Sequence, residues 1–189
     1  MNTPPGTPPA PGIPPVDPET ATGRAAELLA EAHALLGSTP NLTRVMAHSP
    51  SVLDGFLGFT RALCGGTLAC PVAESVALLV AQEHACDYTL SAHTFVATKL
   101  AGMSPDDAFR ARHGKADDET TAAALAFAAE LLRGHGRVDD EGLAAARAAG
   151  LSDGQLTEVI AHVALNIFVN HLATTARVVV DWPIVRHTD

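Results

Sequence analysis

Four residues able to do chemistry fall between positions 74 and 93: Glu74, Cys86, Thr89 and His93, with Asp87 and Tyr88 among them. A carboxylate and an imidazole can pass a proton, and a thiol becomes a nucleophile once it is a thiolate. Cys86, Thr89 and His93 stand at i, i+3 and i+7, which puts them on one face of a helix. A thiol in the first turn of that helix faces the positive end of the dipole, which lowers its pKa. The competing reading of Cys86 is a buried cysteine that serves as a small hydrophobe. His93 lies roughly 10 Å from Cys86 along the axis, too far for a direct ion pair but close enough to flank one substrate. Glu74 reads either as a general base or as an acid stabilised at a helix N-terminus. Thr89 either offers its hydroxyl to the site or bonds back to a helix carbonyl.

Two helices must position these groups. Residues 72–81 are apolar on every side except at Glu74 and Ser75, the pattern of a helix buried all round. Pro71 fits its first position, where the missing N–H costs nothing. The run ends at Gln82, Glu83 and His84, and a second helix runs from Asp87 to about Leu100. Around this pair the spacing predicts helices over about 19–36 (closed by Gly37), through Val45 and Met46 as far as Pro50, and over 51–63. Others follow over about 104–113, 117–132, 139–149 and 153–179, the last capped by Ser152 or Asp153. That is an all-α fold of about eight helices with no confident strand. The final helix carries Glu158, His162, Asn166 and Asn170 at every fourth position, a polar stripe that reads as a helix–helix seam or subunit interface rather than as catalytic.

At 189 residues with a net charge of −9, the chain suits one domain, and nucleic acid or an anionic membrane surface makes a poor partner. Residues 1–18 form a Pro/Gly-rich tail expected to be disordered, leaving 19–189 as the helical domain. Three cysteines, Cys64, Cys70 and Cys86, make no disulfide framework and suit a reducing cytoplasm. No signal peptide is legible, and no apolar run approaches the roughly 20 residues of a membrane span. Cys64 and Cys70 lack His or Asp at ligand spacing, and Glu83, His84, His48 and His171 make no metal set, so neither metal nor cofactor is expected.

Glu74, Cys86 twelve positions later, then Tyr88, Thr89 and His93 resembles the signature of the carboxymuconolactone decarboxylase and alkylhydroperoxidase D family, a Glu followed by Cys-x-[His or Tyr]-Cys-x-x-x-His at a helix start. The similarity extends over roughly residues 20–185, including GLSDGQLTEVIAHVALNIFVNHLATTA and a terminal VDWP, in the manner of the longer peroxidase-related members. It implies packed helical hairpins and homo-oligomers, commonly trimers or hexamers. It also implies a thiol-dependent peroxidase with Glu74 and His93 as proton relay and Tyr88 at the His/Tyr position. Thr89 stands where the redox members carry the cysteine that attacks the hydroperoxide, so Cys86 is the only motif thiol and would need an external thiol reductant. The alternatives are a cofactor-free decarboxylase, lyase or isomerase of a small organic acid or lactone using Glu74 and His93, or a catalytically silent member.

Overall fold

The computed structural model describes residues 12–189 and holds nine α-helices and no strand among them. These are α1 (Gly23–Leu36), α2 (Asn41–Met46), α3 (Pro50–Cys64), α4 (Cys70–Glu83), α5 (Asp87–Lys99), α6 (Pro105–Arg112), α7 (Glu119–Arg133), α8 (Asp140–Ala148) and α9 (Asp153–Ala176). Each falls where the spacing placed a helix, nine in place of about eight, and the short one through Val45 and Met46 is α2. Pro50 does not merely stop it; it sits in the first turn of α3, the position a proline tolerates.

α4 is the central element and packs against α5, α6, α7 and α9. Its residues from Ser75 to Ala81 are all buried, as the all-round apolar run predicts. They anchor one core with Leu125, Ala128, Val159 and Val163. A second core gathers Leu28, Leu42, Leu53 and Leu57 from α1–α3 with Cys86, Tyr88, Val169 and Ala173. Caps fall where short polar residues precede apolar periodicity. Ser104, Asp118 and Asp139 accept from the third backbone N–H of α6, α7 and α8, and Ser152 with Gln155 forms a capping box on α9.

Both ends of the chain differ from the sequence reading. Residues 12–18, grouped there with the tail, are docked on the fold. Ile13 N donates to Ala176 O, Val16 N to Arg44 O, and His48 Nε2 bonds Pro14 O at 2.8 Å. The rest of the tail lies outside the described residues. After α9 the chain returns as a strap. Asp181 accepts from Asn41 N and from the Tyr88 hydroxyl, Val185 N donates to Ser91 Oγ, and His187 pairs with Asp87. α9 itself is, by length and composition alone, apolar enough to cross a membrane, contrary to the expectation that no segment would be. Its stripe of Glu158, His162, Asn166 and Asn170 instead engages other helices and loops of the fold.

Candidate active site

The α4–α5 junction is set by a Schellman turn. Cys86 N donates to Ala81 O and Ala85 N to Gln82 O, with Ala85 left-handed at φ 49°. A non-glycine residue there carries backbone strain, which this turn stores next to the thiol. Cys86 is therefore the last residue of that turn and also the N-cap of α5, where its carbonyl accepts from Leu90 N. The thiol is 3% exposed. It meets Thr89 Oγ1 at 3.4 Å and points at the backbone carbonyl of Asn170 at 3.9 Å. Thr89 thus faces the thiol instead of bonding back to its own helix.

Glu74 lies past the first turn of α4, so stabilisation at the helix end does not explain it. Its Oε2 accepts from His93 Nδ1 at 2.8 Å, with the side chains 13% and 25% exposed. Burial works against a charged His93, but the Glu74 charge and the hydrogen bonds that His93 donates to Glu74 and Asn166 outweigh it and raise its pKa above 6.5. His162 of α9 lies near enough to this pair to feel both of its members. Burial and the nearby His93 lower its pKa, with Glu74 and Glu158 opposing. The two imidazoles are thus biased in opposite directions, His93 towards the protonated form and His162 towards the neutral one. The buried His162 Nε2 makes no hydrogen bond among the described residues.

The structure brings Glu74 and His93 together and, separately, Cys86 and Thr89. It turns Tyr88 away from both. The Tyr88 hydroxyl donates to Asp181 Oδ2 at 2.8 Å and accepts from Leu42 N. Burial and the Asp181 carboxylate push its pKa far up, so it stays a neutral phenol. Its ring meets Trp182 edge-on, which makes it a fastener for the strap. The polar stripe is where the sequence reading fell short. His162 and Asn166 belong to the Glu74–His93 cluster, while Asn170 donates to Val80 O and Glu158 clamps Thr67 and Leu68. Their spacing marked a helix face, but only the packing of α9 on α4 and α5 shows what that face meets. Among the described residues no three His, Cys, Asp or Glu side chains are grouped to hold a metal ion.

No family profile and no curated protein matches the sequence. Solved structures do. The chain superposes on the alkylhydroperoxidase AhpD core of a peroxidase-related protein from Ralstonia eutropha JMP134 with a TM-score of 0.79, at 22% identity, covering 90% of this chain and 92% of that one. A peroxidase-related protein from Silicibacter sp. TM1040 gives a TM-score of 0.77 at 18% identity over 92% and 94% of the two chains. The debrominase Bmp8, as a cysteine-to-alanine variant in complex with 2,3,4-tribromopyrrole, gives 0.76 at 19% identity over 96% and 93%. The chain has the all-α fold of the alkylhydroperoxidase AhpD core.

Proposed function

We propose that this chain is a member of the carboxymuconolactone decarboxylase and alkylhydroperoxidase D family acting as a thiol-dependent hydroperoxide reductase, with Cys86 as its nucleophile. The observation that carries the reading is the Glu74–His93 pair at 2.8 Å, whose His93 stands on α5, the helix that Cys86 opens. The Cys86 thiolate attacks a peroxide oxygen, the O–O bond breaks, and the alkoxide leaves as alcohol after taking a proton. Cys86 becomes a sulfenic acid, and an external thiol reduces it through a mixed disulfide. His93, protonated beside Glu74, is the proton donor, and His162 is the acceptor that resets it. Thr89 Oγ1 can donate to the thiolate at 3.4 Å but cannot form a disulfide.

The assembly we propose is a homo-oligomer. Ile160 and Phe168 on α9 are exposed, and Ile160 lines an apolar groove of about 610 Å³ with Leu131, Ala164 and Ile167. A second reading, cofactor-free acid–base chemistry on a small organic acid or lactone, is favoured by one fact: Glu74 and His93 are more accessible than Cys86. The debrominase among the similar folds adds halogenated heterocycles to the substrates worth assaying. The test is hydroperoxide consumption with an external dithiol as reductant, in the wild type and in Cys86→Ser. Loss of turnover in the variant supports the thiol reading. Equal turnover in both rejects it, and turnover of an organic acid that survives Cys86→Ser selects the acid–base reading.

A further inference from the structure

Cys86 is buried, so the fold must open before a reagent reaches its sulfur. The segment after α9 is the part of the chain placed to do this. Val178, Val180 and Trp182 pack against the core cluster that holds Cys86 and Tyr88. The same strap is bonded to three of the five residues that follow Cys86. The Tyr88 hydroxyl donates to Asp181 Oδ2 at 2.8 Å, Val185 N to Ser91 Oγ at 2.9 Å, and His187 N to Asp87 Oδ1 at 2.9 Å. The His187 ring meets that same carboxylate oxygen at 2.7 Å. Beyond α5, Gln82 Nε2 donates to His187 O and Arg112 Nη2 to Arg186 O, at 2.8 and 2.7 Å. The strap holds no helix of its own, and two of its apolar side chains, Val179 and Ile184, are 73% and 57% exposed. It is therefore fastened mainly by polar side-chain bonds, each a small net contribution, while α5 is packed into the core. A segment held in that way opens before the helices it lies on.

We propose that residues 178–189 are a gate over Cys86, latched to the first turn of α5 by Asp181 on Tyr88 and His187 on Asp87, and that small molecules reach the thiol only while the strap is lifted. The observed reactivity of Cys86 is then its intrinsic reactivity multiplied by the fraction of molecules with the strap open. In catalysis the gate would open twice, for the hydroperoxide and for the external thiol, and that role rests on Cys86 being the nucleophile. The covering of the thiol by the strap does not rest on it.

The experiment times the alkylation of Cys86 by iodoacetamide in the full chain, followed by digestion with trypsin and a Glu-specific protease. Peptide 84–99 carries Cys86, and peptide 62–74 carries Cys64 and Cys70, whose exposed thiols give the rate of an uncovered cysteine in the same sample. Trp182 is the single tryptophan and lies edge-on to Tyr88, so acrylamide quenching of its fluorescence reports the strap. Asp181→Ala with His187→Ala removes both latches. The expected result is easier quenching of Trp182 and alkylation of Cys86 faster by about tenfold, with Cys64, Cys70 and the circular dichroism unchanged. Loss of His187 leaves the Asp87 charge less balanced beside the thiol, which by itself would slow alkylation, so acceleration reports access. Should the double variant fail to fold, His187→Ala alone carries the test, with about a threefold acceleration expected. A freed Trp182 with Cys86 alkylated at the wild-type rate overturns the gate. So does a Trp182 as protected in the variant as in the wild type, or a wild-type Cys86 that reacts as fast as Cys64 and Cys70. Neither readout uses hydroperoxide, so a chain inactive towards it would count against Cys86 as nucleophile and leave this result unchanged.

Discussion

Glu74→Gln keeps the shape of the side chain and removes its charge, which isolates the pair at the centre of the site. His93 Nδ1 donates to Glu74 Oε2 at 2.8 Å, with three-quarters or more of each side chain out of solvent. A charge-assisted hydrogen bond contributes about 1.5–3 kcal/mol. Partial exposure favours the lower half of that range, so the variant should lose about 2 kcal/mol where His93 is protonated. The sign with pH follows from the raised folded-state pKa of His93. The pair's contribution is fully present below the ordinary value of 6.5 and is lost as pH rises through the raised folded value. The gap between wild type and variant is therefore widest at mildly acidic pH and closes in alkali. Urea unfolding across that pH range, with an NMR titration of His93, measures both. A gap that does not change with pH, or a His93 pKa that does not fall in the variant, would refute the reasoning.

Other outcomes follow from the same contacts. Thr89→Cys places a second sulfur where Oγ1 now stands 3.4 Å from Cys86 Sγ, and it should raise thiol-dependent hydroperoxide reduction, with a bridge to Cys86 visible on non-reducing mapping. A bridge without gain in rate would show a pocket built for other chemistry. Tyr88→Phe removes the bonds to Asp181 and Leu42 N and should cost about 1–2 kcal/mol in a denaturant melt. Ala85→Gly relieves the left-handed alanine at φ 49° and should stabilise the fold by up to about 1 kcal/mol; a loss of stability would count against strain at that turn. Ile160→Glu with Phe168→Glu should shift light scattering from an oligomer to a smaller species, and a wild-type monomer at micromolar concentration would contradict the assembly.

Much of this was legible in the sequence because local rules decide it. A run apolar on every side but for Glu74 and Ser75, with Pro71 near its start, specified α4, and Ser104 and Ser152 announced their helices through capping chemistry. Gly37 closed α1 in the left-handed conformation, φ 74°. Glu74 and His93 were legible as chemistry, and their contact needed only that α4 and α5 pack as neighbours. What the sequence hid is long-range. His162 and Asn166 lie some seventy or more residues from Glu74 and His93, and a polar stripe on a helix carries no mark of which neighbour it meets. Residues 12–18 read as part of a disordered tail because Pro and Gly dominate that stretch, yet backbone bonds to Arg44 and Ala176 fix them. Tyr88 sat in the motif, but its partner Asp181 is 93 positions away.

The central claim is that Cys86 is oxidised by hydroperoxide as a lone motif thiol. Its most direct test is trapping with a sulfenic-acid-specific dione after a single sub-stoichiometric dose of hydroperoxide, read on peptide 84–99 in the Cys64→Ser, Cys70→Ser background. The account predicts labelled Cys86, with the label lost in Cys86→Ser and sharply reduced in Glu74→Gln. Complete consumption of the hydroperoxide with Cys86 recovered as free thiol, before any reductant is added, would contradict it.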